Sequence, residues 1–532
     1  MLIPLLLALQ VPLAARADTL RPLHDAVDYD ITLLVGDSAH HVLGQVRTKW
    51  RLRSDLPVRI DLDPTLRVAR VMMDGKENTR MFRTTWARDG GWVVIPHQKG
   101  AGDSVVTDIR YHGSVRQGMI FGTAGDGTPR VFADNWPDRG HGWLASQDHP
   151  SDKATATIRV EVPPGLQAIA NGDLIGVDSL PRGRTVWVYR IAEPIPVYTM
   201  VVGIARFAVT RLPDAACAVR CVPLAVWAFP EDSAYAVNEP FRRAGQMLDY
   251  LSGLVGPFPY ERLSHVEARM SFIGGMENST AIFYSDSLYR AHLLDENTVA
   301  HETAHQWFGD AVTEDDWHHL WLSEGFATYF ATLWEEHLGG DSALVAGMRE
   351  AAREVFESPA SERPILDLDV INLESLLNTN NYEKGAWTLH SLRGLLGDSV
   401  FFRGIREYYR RYRDSTALSA DFARVMEQVS GRDLDWYFAQ ALTQPGYPRL
   451  EIRWRAGKGK RLTLDITQTQ PEAWGDYRLP GLVLDIDGKR VAADVAGRET
   501  HLVLQDIPSK PKRIEVDPDG WWLVKTTVRN ER

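Results

Sequence analysis

Asn297-Thr298-Val299-Ala300-His301-Glu302-Thr303-Ala304-His305-Gln306-Trp307-Phe308-Gly309 is the stretch from which the rest of the chain can be read. Val299, Ala300, Ala304, Trp307 and Phe308 give it the apolar surface of a largely buried helix, with Asn297 as its cap and Gly309 to stop it. Residues four apart on such a helix stand about 40° apart around the axis. His301 and His305 therefore project from one face and can reach one metal ion, while Glu302 between them can address a water there. A catalytic metal site also needs a third protein ligand and an open position. Glu324 is the candidate: it follows after eighteen intervening residues and opens a second helix-like run, Glu324-Gly325-Phe326-Ala327-Thr328-Tyr329. A helix, a loop and an antiparallel helix would bring Glu324 back to the two histidines. The donor set points to one zinc ion.

Helical periodicity extends outward from this motif. Phe241 to Leu254 reads as helix, and further helical patterns run from about Glu296 to Leu442, with Gly309, Gly339 and Gly397 at expected ends. The segment around His265 to Tyr284 reads as a small sheet. An α-rich catalytic domain is thus expected over 229–446. Residues 18–228 read as an antiparallel β domain: Val46, Thr48, Trp50 and Leu52 alternate with Arg47, Lys49, Arg51 and Arg53, giving one dry and one wet face. Ala156 to Val162 and Thr185 to Ile191 are two more strands of this region. After Gln444-Pro445-Gly446 period two returns at Leu462, Leu464 and Ile466, and Asp487-Gly488 suggests a hairpin turn, so 447–532 is expected to be a small β-sandwich. The fold class is multi-domain α+β. The 532 residues agree, since single cores stop growing near about 250–300 residues.

The composition, 44% hydrophobic and 24% charged, is that of a folded protein, and the net charge of −11 argues against nucleic acid as a partner. Met1 to Leu13 is almost wholly apolar and is followed by Ala15-Arg16-Ala17, which reads as a secretory leader over 1–17 and places the mature chain in a periplasm or outside the cell. No later segment is apolar enough to span a membrane. The two cysteines, Cys217 and Cys221, are close enough to pair across a tight turn and equally compatible with two free thiols. His318, His319 and His149 read as polar loop and turn residues.

With these residues in view, the chain resembles the zinc aminopeptidases that include aminopeptidase N and leukotriene hydrolase, gluzincin metallopeptidases, in their bacterial three-domain form. The resemblance rests on His301-Glu302-x-x-His305 with Glu324, on Gly274-Gly275-Met276-Glu277-Asn278 upstream, and on Tyr382-Glu383-Lys384-Gly385 downstream. Asp134-Asn135-Trp136-Pro137 and Asp148-His149-Pro150-Ser151-Asp152-Lys153 extend it into the N-terminal region. It implies a thermolysin-like catalytic domain that removes residues from the free amino end of peptides. His301, His305 and Glu324 would be the zinc ligands and Glu302 the general base acting on a zinc-activated water. Tyr382 would stabilise the oxyanion. Gly274 and Gly275 would admit an extended backbone, Met276 would line the first side-chain pocket, and Glu277 would pair with the peptide's amine.

The sequence departs from the family at three places. Ser323 precedes the third ligand where Asn is usual, Asp310 follows Trp307-Phe308-Gly309 where Asn is usual, and Leu377 stands where leukotriene hydrolase has a second Tyr. Leu377 counts against epoxide hydrolysis and Glu277 against endopeptidase action. A non-catalytic relative kept as a binding module would be expected to have a degraded donor set, and here all donors and the base are present.

Overall fold

A computed structural model describes residues 21–35, 40–77, 86–457, 459–507 and 511–531. The leader expected over 1–17 lies outside the described residues. Among these, no helix is long and apolar enough to cross a membrane.

The period-two stretch forms a strand, His41–Arg51, between Asp25–Val35 and Ser104–Ser114. Val46 and Trp50 are buried and Arg47, Lys49 and Arg51 face solvent, as alternation dictates. The indole of buried Trp50 donates to Thr107 Oγ1 (2.9 Å), so its one polar group is satisfied. This eight-stranded sheet is antiparallel except where Asp25–Val35 runs parallel to Lys153–Val162. A four-stranded sheet containing Pro129–Asp134 and Val202–Ala205 leads toward the helical region.

Ala208–Ala215 and Val222–Ala228, which the sequence groups with the N-terminal β domain, belong to a different sheet. Val222–Ala228 pairs in parallel with Leu263–Ala268, and that strand with Ala281–Ser285, which ends on the short edge strand Gly275–Met276. These two strands thus share one sheet with Leu263–Ala268, Ala281–Ser285 and Gly275–Met276. Alternation identifies a strand but not its neighbour. Behind this sheet lie the helices Ala244–Val255, Glu296–His305, Trp321–Gly339, Asp341–Glu357 and Gly385–Leu396.

Two devices fix the N- and C-terminal regions to the helices. Lys153 reaches from its strand to donate to the carbonyls of Asp310 (2.7 Å) and Ala311 (2.8 Å), just beyond the histidine motif. His390 lies 2.9 Å from the carbonyl of Gly520 and stacks on Trp521. The last region forms a four-stranded and a three-stranded sheet with Leu462, Leu464, Ile466, Leu482, Leu484 and Ile486 inward. Asp487 and Gly488, both at positive φ, close the expected hairpin. Cys217 and Cys221 form a disulfide.

Candidate active site

The helix bearing both histidines spans Glu296–His305, and its cap is Asp295, not Asn297: the Asp295 carboxylate accepts from Thr298 N at 2.8 Å. Because the helix starts at Glu296, Asn297 already lies inside its first turn, and it instead donates to Glu335 (2.8 Å). Glu324 lies in the first turn of Trp321–Gly339, packed against the first helix. His301 Nε2 and His305 Nε2 are 3.0 Å apart, and Glu324 Oε2 is 3.2 Å from the first and 3.3 Å from the second. Four donors at zinc-ligand distances around one tetrahedral ion would be separated by about 3.3 Å. The three atoms therefore already describe one face of such a polyhedron.

The outer shell sets the tautomer of His305. Its Nδ1 faces the carbonyl of Phe308 at 3.0 Å, which can only accept, so Nδ1 carries the proton and Nε2 keeps its lone pair for a metal. His301 Nε2 and His305 Nε2, 3.0 Å apart, can both reach one cation. Ser323, the first departure from the family pattern, places its Oγ 3.0 Å from the same Nδ1. Asp310, the second, accepts from Gln306 Nε2 (2.8 Å). Gln306 also donates to the Glu277 carbonyl (2.8 Å) and accepts from Thr280 N (2.9 Å), tying the glycine-rich loop to the histidine helix.

Glycines allow the parts to meet. A methyl group at Gly275 would lie 2.5 Å from Cδ and Oε1 of Glu302, so the strand can press against the Glu302 carboxylate only without a side chain. A methyl at Gly325 would lie 2.8 Å from Gly385 Cα, and this backbone contact sets the Glu324 helix against the Asn380–Lys384 turn that carries Tyr382. The Tyr382 ring lies parallel to His301, 5.9 Å between centroids and 6° between planes.

These side chains surround a cavity of about 520 Å³. Gly274, Gly275, Met276, Glu277, His301, Glu302, His305, Glu324 and Tyr382 all line it. Asn278 does not: it is buried behind the wall, its carbonyl accepting from Ala281 N (2.9 Å) and its amide nitrogen without a partner. His318 and His319 also lie away from the cavity, against Asp316 and Ser419 respectively. Sequence reasoning missed Arg139 and Glu374, and the exposed pair Phe272 and Ile273 at the rim. That apolar pair directly before Gly274 was the one available signal.

The cavity is short of positive charge. Burial pushes the Glu277 and Glu302 carboxyls above the ordinary range, and the Glu324 carboxylate pushes them further, against the opposing influence of His305. Glu324 itself, despite burial, is held low by His305 and His301. Such a cluster of carboxylates favours cations.

Residues 241–440 match the Peptidase family M1 domain. The match covers the helical region that carries His301, His305 and Glu324. Similar curated proteins include "Probable aminopeptidase 1" of Sulfurisphaera tokodaii, 25% identical over 408 residues, covering 72% of this chain and 50% of that protein. "Leucyl aminopeptidase" of Saccharolobus solfataricus is 24% identical over 407 residues, covering 71% and 49%. The chain thus spans about half the length of these curated relatives. The M1 zinc metallopeptidase of Deinococcus radiodurans shares the fold, with a TM-score of 0.70 at 24% identity, covering 80% of this chain and 95% of that one.

Proposed function

We propose that the protein is a zinc-dependent aminopeptidase that hydrolyses the N-terminal peptide bond of peptides. The observation that carries this reading is the triangle of His301, His305 and Glu324 donor atoms, 3.0 to 3.3 Å on a side, opening onto a cavity that also holds Glu302 and Glu277. Zinc held there would lower the pKa of a coordinated water to about 7 and polarise the scissile carbonyl.

The protein residues account for the remaining steps. Glu302 takes the proton of the attacking water and returns it to the departing amine. The Tyr382 hydroxyl donates to the oxyanion as the carbonyl becomes tetrahedral, a contribution typically of about 10²–10³ in rate. The free side of the edge strand Gly275–Met276 offers backbone groups to an extended peptide. Glu277 selects the free end: an α-ammonium pairs with its buried carboxylate, whereas an internal amide leaves that charge unmatched at a cost of roughly 3–5 kcal/mol. The apolar, leader-like first residues, together with the Cys217–Cys221 disulfide, support export to a periplasm or the cell exterior.

The test is hydrolysis of aminoacyl 4-nitroanilides and their N-acetylated forms by protein of measured zinc content. One zinc per chain and a strong preference for the free amine are expected. Equal rates on both substrates would remove the role of Glu277, and full activity in Glu302→Gln would remove the mechanism.

A further inference from the structure

Lys384 stands two residues after Tyr382 and takes no part in the hydrolysis. It closes the Asn380–Lys384 turn and is only 6% exposed. An ammonium group carries three N–H donors, and each needs an acceptor once it leaves water. Lys384 Nζ makes one hydrogen bond, a long one to the Gln444 carbonyl at 3.4 Å, and no carboxylate of the described residues lies within ion-pair distance. Burial alone pushes its pKa down to about 7 from 10.5. The four-carbon stem does not account for a lysine here, since Met or Leu would fill similar space without a charge to desolvate.

The side chain lines a second cavity, which shares no lining residue with the active-site cavity. It lies where the turn and the helix Gly385–Leu396 meet Tyr477, Leu479, Trp522 and Leu523 of the last β region. Its volume is about 60 Å³. About 10–15 Å³ is enough for one water, so a small ion with a water or two fits. The neighbouring donors are already committed to carbonyls: Tyr437 to Thr388 (2.5 Å), Tyr477 to Pro445 (2.7 Å) and Trp387 to Met348 (3.1 Å). Apart from tyrosine hydroxyls, Lys384 is the only ionisable group in the lining. Gln440, Ala441 and Leu523, also in the lining, are partly exposed and leave a route for ions from solvent.

These features select the ligand. A single buried ammonium with spare donors calls for one negative charge. Phosphate or sulfate would bring more charge and more acceptor atoms than this lining can match, and each unmatched acceptor costs its desolvation. A halide ion carries one charge and imposes no direction on its partners.

We propose that Lys384 and this cavity form a binding site for one small monovalent anion, chloride in solution, which pairs with the ammonium and ties the turn bearing Tyr382 to the last β region. The site is independent of the aminopeptidase reading.

The experiment is calorimetry of the zinc-loaded full chain in sodium chloride and in sodium isethionate, whose anion is bulky, at equal ionic strength. At about pH 6, where the lysine is protonated, chloride is expected to raise Tm saturably by about 1–3 °C. At about pH 9 the amine is neutral and the difference should vanish. Lys384→Met should abolish the chloride response, which separates this site from chloride bound at the zinc. Crystals grown in sodium bromide should show an anomalous peak beside Nζ. Equal Tm in the two salts, a response retained in Lys384→Met, or no bromide at Nζ overturns the proposal. Should Lys384→Met fail to fold, the wild-type salt comparison at the two pH values and the bromide positions decide the question.

Discussion

Gly275→Ala tests how closely the edge strand controls the general base. Gly275 has an ordinary backbone conformation, so alanine introduces no φ strain and only the methyl group matters. That methyl would sit 2.5 Å from Cδ and Oε1 of Glu302, where ordinary contact is about 3.5–4.0 Å. Glu302 must withdraw by about 1 Å, or the strand must shift by as much. Overpacking of this kind costs about 1–3 kcal/mol of stability, and a 1 Å misplacement of a reacting group costs about 10²-fold in rate. The three atoms nearest to the methyl all belong to the Glu302 side chain, not to His301, His305 or Glu324. The expected result is a fall of about 10²-fold in kcat/KM on an aminoacyl 4-nitroanilide, a modest fall in Tm, and zinc content still near one per chain. Wild-type kcat/KM with zinc bound would refute the argument, because it would mean that the position of Glu302 relative to the strand is immaterial. Loss of zinc would refute it differently, by showing that the strand supports the ligands rather than the base.

Three further expectations follow from the same geometry. In Gly385→Ala the added methyl lies 2.9 Å from Gly325 Cα, a backbone atom that cannot rotate away; a loss of about 1–3 kcal/mol and a lowered kcat are expected, checked by calorimetry and steady-state kinetics. Glu324→Gln removes the one anionic ligand, so zinc should be lost on dialysis against a chelator that leaves the wild type loaded, as measured by elemental analysis. Stability should also depend on His141. Burial opposes its charge, but the hydrogen bond that its Nδ1 donates to Asp148 Oδ2 (2.9 Å) and the charges of Asp148, Asp61 and Asp138 prevail and push its pKa up to about 9 from 6.5. A raised folded-state pKa gives stability that is complete below pH 6.5 and is lost as pH rises toward 9. Tm should therefore fall across that window, and His141→Gln should flatten the decline; an unchanged slope would exclude His141 as its source.

What could be read from the sequence was whatever obeys a local rule. The His301 and His305 pair follows from helical pitch, and Glu324 follows once a returning helix is assumed. Period two identified the wet face at Arg47, Lys49 and Arg51. Pairing is not local, and so Ala208–Ala215 and Val222–Ala228 were read as strands without their sheet being known. Asp295 and Asn297 are both competent caps, and only the geometry of the turn chose between them. Glu277 carried no periodic signal and was singled out by resemblance alone. Gly275, Gly325 and Gly385 all lie in stretches that the sequence singles out, yet what each makes room for, Glu302 in one case and the facing glycine backbone in the other two, comes from a distant segment. Arg139 is the extreme case. It lies more than a hundred residues from His301, and only the packing of the β region against the helices brings it to the cavity. The metal centre is legible because its donors must come from two adjoining helices at fixed pitch. The far wall obeys no such constraint, since any residue on the facing domain can supply it. The far wall should therefore vary among chains that share this centre, and must be read from the packed structure rather than from the motif.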